Sequence, residues 1–320
     1  MKQYDVVALG ELLIDFTQNG MSSQGNPLFE ANPGGAPCNV LSMLAKLGRE
    51  TAFIGKVGDD GFGHQLERAL VEVGIDTANL RFDPDIHTTL AIVQSQPDGD
   101  RDFSFYRKPG ADMMLRKEEV DDSVISNSKV FHFGTLSMTD ADNTAATEYA
   151  LDIAKKNNVL ITFDPNIRMP LWDSEAHLKA RIAYGMERCQ VLKISDDEIC
   201  WFTGMTDYAT AAIYLSERYQ IPLVLVSLGK EGSIACYKNQ TVFVKSFLME
   251  NTIETTGAGD VFMACVIHKV LEYGLEYLTQ DQIIEMLTFA NAAAALITTK
   301  KGALRVMPER GQILDLLQKN

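Results

Sequence analysis

The amino-acid sequence predicts an α/β fold, a mostly parallel central sheet flanked by helices on both faces. Two observations carry this reading. Short apolar runs alternate with segments of helical periodicity, the βαβα order that a helix-covered parallel sheet requires. No internal repeat, low-complexity tract or linker divides the 320 residues, so one domain is expected over 1–320.

The elements follow in order. Tyr4 to Leu9 is a short apolar run ending at Gly10, read as a buried strand. A polar, Gly/Pro-marked stretch extends through Asn32-Pro33-Gly34-Gly35. Ala36 to Leu47 then carries Val40, Leu44 and Leu47 at helical spacing, with Gly48 as its stop. A strand (Thr51 to Val57) and a helix (Phe62 to Val73, closed by Gly74) follow. Thr88 to Ser95 and Asp102 to Arg107 break the pattern as two β-rich runs joined by Pro97-Asp98-Gly99-Asp100, a strong hairpin signal. Such an excursion is expected to stand off the main sheet, as a lid or an oligomer contact. Alternation resumes with strands at Val130–Phe133, Val159–Phe163, Val191–Ile194 and Leu223–Ser227, and helices around 141–156, 174–188 and 207–219. A second hairpin is expected at Ser233–Tyr237 and Thr241–Ser246, and then helices at 260–273, 281–298 and 309–318.

Composition narrows the function classes. Lys+Arg 29 against Asp+Glu 43 gives a net charge of −14, which argues against binding nucleic acid or an anionic membrane. The cysteines Cys38, Cys189, Cys200, Cys236 and Cys265 form no C-x-x-C pair, and the histidines form no H-E-x-x-H. Reduced thiols in a cytoplasmic protein are the plain expectation. The apolar start is interrupted by Glu11 and Asp15, as a first strand rather than a secretion signal, and no run reaches the length of a spanning helix.

In open α/β sheets, ligands sit outside the carboxyl ends of the strands. The polar groups there are Gly10-Glu11 with Asp15, Asp164-Pro165-Asn166, Lys193 with Ser195, and Ser227-Leu228-Gly229. Strand ends are also polar simply because loops are. The most informative stretch is Glu254-Thr255-Thr256-Gly257-Ala258-Gly259-Asp260 before the apolar run Val261 to Leu271. Its glycines let successive N–H groups converge, and the following helix adds its dipole, which favours an anion. Asp260 stands at the helix start, where it is either an N-cap or the carboxylate that takes a hydroxyl proton during phosphoryl transfer. There is no G-x-x-x-x-G-K-[ST] loop, no dinucleotide G-x-G-x-x-G after the first strand and no G-x-S-x-G elbow.

Taken together, these segments resemble the ribokinase-like (PfkB) carbohydrate kinases, and within them the fructokinase branch. Both family signatures are present, Pro33-Gly34-Gly35-Ala36-Pro37-Cys38-Asn39-Val40 and Thr255-Thr256-Gly257-Ala258-Gly259-Asp260. Gly10-Glu11-Leu12-Leu13-Ile14-Asp15, Asp164-Pro165-Asn166-Ile167-Arg168, Ser227-Leu228-Gly229-Lys230-Glu231-Gly232 and Asn291-Ala292-Ala293-Ala294 keep the same order across nearly the whole chain.

The resemblance implies a ribokinase-like fold with a small β lid from about 14–33 and 88–108, and ATP-dependent phosphorylation of a sugar hydroxyl. It implies Asp260 as the base and Gly257, Ala258 and Gly259 as the anion hole, with Arg168 approaching the transferring phosphate. Asp15, Gly34, Gly35, Asn39 and, from the lid, Arg107 resemble the family's sugar-binding groups, joined there by Arg168 and Asp260. ATP is expected along Lys193, Ser227, Gly229, Gly232, Gly257, Gly259 and Asn291. Ser195-Asp196-Asp197-Glu198 departs from the family's Asn-x-x-Glu at Ser195, and Glu198 is expected to organise magnesium (Mg2+) without ligating it directly. Glu254 replaces the Asp that usually opens the second signature, near the monovalent-cation site of many relatives. Potassium (K+) use is therefore left open, with backbone carbonyls as its remaining ligands. The stretch Arg101-Asp102-Phe103-Ser104-Phe105-Tyr106-Arg107 with Ala111-Asp112-Met113-Met114-Leu115 points to fructose, giving fructose 6-phosphate. A 2-keto-3-deoxygluconate kinase, whose substrate carboxylate Arg107 and Arg168 would meet, and a ribokinase are the alternatives. A sugar-binding regulator without catalysis is the alternative of another class. Many relatives pair as homodimers through the lid.

Overall fold

The computed structural model describes residues 2–95 and 101–319. Strands β1 (Tyr4–Leu9), β2 (Leu13–Met21) and β3 (Pro27–Gly34) precede helix α1 (Ala36–Lys46). Then come β4 (Thr51–Gly58), α2 (Gly61–Glu72), β5 (Ile75–Asp83), β6 (Leu90–Ser95), β7 (Arg101–Tyr106) and α3 (Asp122–Ser126). The middle of the chain runs β8 (Ser128–Gly134), α4 (Ala141–Lys156), β9 (Leu160–Asp164), α5 (Glu175–Met186), β10 (Val191–Ser195), α6 (Asp196–Thr203), α7 (Tyr208–Tyr219) and β11 (Leu223–Ser227). The last elements are β12 (Gly232–Tyr237), β13 (Gln240–Lys245), α8 (Ala258–Tyr273), α9 (Gln280–Ile297) and α10 (Arg310–Lys319).

The strands form a 9-stranded sheet, ordered β13-β12-β11-β10-β9-β8-β1-β4-β5, and a 4-stranded sheet, ordered β3-β2-β6-β7. From β5 to β11 neighbouring strands of the large sheet are parallel; the β12–β13 hairpin closes one edge antiparallel. The period of two along each strand divides the core. In β1, Val6 and Ala8 pack with α1, α2, α8, α9 and α10, whereas Val7 and Leu9 pack with α3 to α7. In β10, Val191 takes the first face and Leu192 and Ile194 the second. Lys193 therefore points to the α8 side. No helix among the described residues is long and apolar enough to cross a membrane.

Local chemistry sets the helix starts. Asp60, Asp140, Ser174, Ser195, Asp207 and Thr279 each accept an N–H of the helix they precede. Two starts have no such cap on their own N-cap residue, Gly35 before α1 and Gly257 before α8.

The small sheet stands apart from the large one, and the segments that the resemblance assigned to a lid form it. The Pro97-Asp98-Gly99-Asp100 turn expected between β6 and β7 lies outside the described residues. Residues 13–34, a polar Gly/Pro-marked stretch that the resemblance placed in the lid, are the antiparallel pair β2–β3, with a register shift between Gln18 and Met21. Their outer halves are exposed, so no apolar alternation marks them. β5 went unread for a related reason, since Asp76, Thr77, Asn79, Arg81 and Asp83 punctuate an edge strand. The short α6, with three acidic residues in its first turn, carries too few apolar positions for a periodic signal.

Candidate active site

A cleft of about 450 Å³ opens between the carboxyl ends of β1, β9 and β10, the N-termini of α1 and α8, and the small sheet. It gathers Glu11, Asp15, Gly35, Asn39, Arg168, Lys193, Ser195, Glu198, Gly257, Gly259 and Asp260. These positions span almost 250 residues of sequence.

Asp260 enters on the first turn of α8, after Gly257 in the left-handed region at φ 79°. Its N-cap residue, Gly257, has no side chain to offer the helix, and the Ala258 amide turns back to the Thr255 carbonyl at 3.2 Å. Asn39, on the first turns of α1, donates its Nδ2 to Asp260 Oδ2 at 2.8 Å. The other amide atom, Asn39 Oδ1, is buried without a hydrogen-bond partner. An orphaned acceptor beside a carboxylate fits a hydroxyl-bearing guest. Burial pushes the Asp260 carboxyl above its ordinary value, against the pull of Asn39, Lys193 and Arg168.

Lys193 lies at the end of β10 and pairs with buried Asp164 at 2.9 Å. Burial, reinforced by Glu198 and Asp260, lifts Asp164 to about 7 although Lys193 opposes it. Burial pulls Lys193 down, yet those same carboxylates outweigh it and leave the ammonium above its usual value. Gly259 has no side chain where Lys193 passes; a Cβ there would stand 2.9 Å from Nζ. The two glycines of the loop thus have separate tasks. Gly257 supplies the backbone turn and Gly259 the room for a cation.

On the small-sheet side, Asp15 faces the cleft from β2. Burial and the nearby Glu254 raise it to about 7, and Arg168 opposes them. Gly34 does not line the cleft; it packs beneath Asp15, where a Cβ would collide with the carboxylate. Gly35, at φ 130°, leaves no space for a Cβ against the Glu11 backbone. Glu11 then caps α1 from across the chain, its Oε1 accepting the Ala36 N–H at 2.8 Å. Burial raises this carboxyl to about 7 as well.

Arg168 is exposed at the mouth, its Nη1 donating to its neighbour's carbonyl, Ile167 O, at 3.0 Å. Glu198 accepts the Ile167 N–H at 2.7 Å and the Ser195 N–H at 2.9 Å, so it holds the Asp164–Arg168 loop to the start of α6. The described residues hold no cluster of three His, Cys, Asp or Glu side chains poised for a metal. This donor set fits a hydrated divalent ion arriving with phosphates rather than a dedicated protein cage.

Five more of the expected residues stand outside this lining. Ser227 is one strand over from Ser195 on the same carboxyl edge, and with Gly229 lies outside the cleft lining. Gly232 is held by β13, where a Cβ would collide with the Val244 carbonyl. Asn291 is buried and spends its amide on Val244 O at 3.1 Å and Lys245 O at 3.4 Å, tying α9 to β13. Arg107 does not line the cleft. It is buried behind the wall, its guanidinium committed to Asp112, Thr139 and Leu136, and it borders a separate groove of about 820 Å³ beside Phe62, Leu90 and Tyr106. That groove is larger but holds none of the convergent charged groups, so the chemistry belongs to the smaller cleft. Thr17, Asn32, Phe105, Leu136 and Ala303 line the cleft without having been singled out. Asn32 alone had a usable signal, directly preceding Pro33-Gly34-Gly35.

The comparisons with known proteins identify the family. The family model described as pfkB family carbohydrate kinase matches residues 3–310. Fructokinase-2 of Solanum lycopersicum is 37% identical, covering 98% of this chain and 96% of its own. Fructokinase-1 of Zea mays is 35% identical, covering 98% of both. Among solved structures, fructokinase from Xylella fastidiosa with bound ATP superposes with a TM-score of 0.90 at 28% identity, over 100% of this chain and 99% of that one. Fructokinase from Vibrio cholerae O395 with fructose, ADP and calcium gives 0.88 at 28% identity, over 98% and 99%. The fold is ribokinase-like, and the chain belongs to the pfkB family of carbohydrate kinases.

Proposed function

We propose that this chain transfers the γ-phosphoryl group of ATP to a free sugar, D-fructose, giving ADP and fructose 6-phosphate. One observation carries the reading: the Asp260 carboxylate is fixed by Asn39 on the first turn of a helix whose N-cap residue is a glycine. Asp260 accepts the proton of the sugar's primary hydroxyl as its oxygen forms the bond to phosphorus and the bond to ADP breaks. The amides of the Gly257–Gly259 turn beyond Ala258, with Arg168 and Lys193, meet the charge on the transferred group. Asp15 and the unpaired Asn39 Oδ1 accept hydrogen bonds from sugar hydroxyls, and bare Gly35 lets the ring approach. Magnesium, when bound with the nucleotide, neutralises phosphate charge, and Glu198 organises its surroundings through the loop it pins. Leu13, Val93 and Phe105 of the small sheet supply an apolar wall that keeps water from the phosphoryl group.

The fructokinase relatives support the sugar assignment, and so does the placement of Arg107. A ketodeoxygluconate carboxylate would be left with Arg168 alone of the two expected arginines, because the Arg107 guanidinium is already committed. A coupled ADP-release assay with MgATP over fructose, ribose and 2-keto-3-deoxygluconate tests the proposal. Fructose is expected to give the highest kcat/KM; a clearly higher value for either of the others replaces it as the substrate.

A further inference from the structure

The position of Arg107 suggests a task other than touching substrate. Its Nε donates to Asp112 Oδ2 at 2.7 Å, its Nη1 to Thr139 Oγ1 at 2.9 Å and its Nη2 to the Leu136 carbonyl at 2.9 Å. Every guanidinium nitrogen is committed. The Arg107 and Asp112 side chains are only 2% and 1% exposed, and the other carboxylate oxygen of Asp112 accepts the Thr89 hydroxyl. Gly110 lies against the same cluster, and a Cβ there would run into Thr89 Oγ1 and come within 2.9 Å of Asp112 Oδ1.

This cluster sits where the chain passes between the two sheets. Residues 84–89 lead from β5 of the large sheet to β6 of the small one, and residues 107–110 lead back from β7. The Thr89 carbonyl accepts the Ile14 N–H at 3.1 Å, one residue before Asp15. Phe105, two residues before Arg107, lines the cleft, and so does Leu136, whose carbonyl Arg107 holds. On the neighbouring crossing, Asp60 at the start of α2 takes the Thr88 N–H at 2.9 Å and its hydroxyl at 2.8 Å.

We infer that the Arg107–Asp112 pair, with Thr89, is a clamp that fixes the small sheet against the large one and thereby sets the sugar end of the cleft. Arg107 is a positioning residue for Asp15, Phe105 and Leu136. A planar guanidinium fork holds direction as well as distance, which suits a joint that must align two bodies. A buried pair of this kind requires all its bonds, since removing one partner strands a charge. The nucleotide end, built on β10 and α8, lies outside the clamp. The inference rests on the sugar-kinase reading for its catalytic consequence, though not for its mechanical one.

The test compares wild type, Arg107→Met, Arg107→Lys and Thr89→Val by steady-state kinetics and amide hydrogen exchange. Thr89 does not line the cleft, so Thr89→Val loosens the clamp without removing any group that could meet substrate. The expected result is a sugar KM raised roughly three- to tenfold by Thr89→Val and about tenfold or more by Arg107→Met. Arg107→Lys should fall between wild type and Arg107→Met, and the KM for ATP should stay within about twofold throughout. The Ile14 amide should exchange faster in each variant while α8 keeps its protection. A merely structural lesion would lower apparent kcat through lost folded enzyme and leave both KM values alone. Thr89→Val with wild-type sugar KM and wild-type Ile14 exchange overturns the clamp. So does Arg107→Met whose kcat per folded enzyme falls at unchanged sugar KM, the signature of direct contact with the phosphoryl group. Wild type that phosphorylates no sugar instead overturns the kinase reading, and Ile14 exchange then decides on its own whether the clamp holds the sheets.

Discussion

Asp260→Asn removes the proton acceptor at almost constant volume. An asparagine Oδ1 can still take the Asn39 Nδ2 bond that now spans 2.8 Å, so the side chain keeps its anchor and α1 keeps its contact with α8. The loss of charge is tolerated as well, because burial already disfavours the charged form of Asp260. Folding stability should therefore change little. The chemical step should not escape so lightly, since general-base loss typically costs about 10²- to 10⁴-fold, or roughly 2.7–5.4 kcal/mol of barrier. The assay is ADP release at saturating fructose and MgATP, with sugar affinity measured by calorimetry. A kcat lower by about 10²-fold or more, with fructose affinity within a few-fold, is expected. The pH profile adds a sign. The base works deprotonated and its pKa is raised, so wild-type kcat falls as pH drops through that raised value and is full above it. Residual activity of the variant should lack this base's share of the acid limb. Wild-type kcat in Asp260→Asn would refute the assignment of the base.

Three further outcomes are expected. Gly259→Ala places a Cβ 2.9 Å from Lys193 Nζ and should cost about ten- to hundredfold in kcat/KM for ATP; unchanged kinetics would remove Lys193 from the transfer path. Arg168→Ala should lower kcat by about 10²-fold while raising the KM for ATP far less, and equal damage to ATP affinity would place the guanidinium on the nucleotide instead. Glu11→Gln keeps an acceptor for the Ala36 N–H and removes a group whose pKa rises from 4.5 to about 7 on folding. The wild-type carboxyl lowers stability as pH climbs from the unfolded value to the folded one, by up to about 1.4 kcal/mol per pH unit, and the cost is constant above. Denaturant titrations from pH 5 to 8 should show the variant gaining on wild type as pH rises; parallel curves would show that Glu11 does not carry the perturbation.

The large sheet was legible because its strands are buried on both faces and read as apolar runs, as in Leu223–Ser227. The small sheet was half hidden. In β2 and β3, Gln18–Met21 and Pro27–Glu30 are exposed, and pairing rather than burial decides their conformation. In the site, Asp260, Lys193, Asp15 and Asn39 were legible because glycine motifs and strand ends mark them. The hydrogen bonds of Arg107 and Asn291 were not legible because their partners are invisible from local sequence. Leu136 and Thr139 lie about 30 positions from Arg107, and Val244 lies 47 from Asn291. A motif shows that a polar residue matters without showing which neighbour will claim it. Glu11 makes the complementary point: its role as a remote cap for α1 exists only once β1 and α1 meet.

The acid-rich lining of the cleft has a consequence for the end of the cycle. Glu11, Asp15, Glu198, Glu254 and Asp260 face only Arg168 and Lys193 among the charged groups around it. An incoming hexose is neutral and feels no penalty from that imbalance. In the proposed reaction, turnover would give the same molecule about two negative charges beside carboxylates that water screens less than in bulk. In that reaction the enclosure therefore holds the phosphorylated sugar less tightly than the free one, to the extent that Glu11, Asp15 and Asp260 keep their charge against burial.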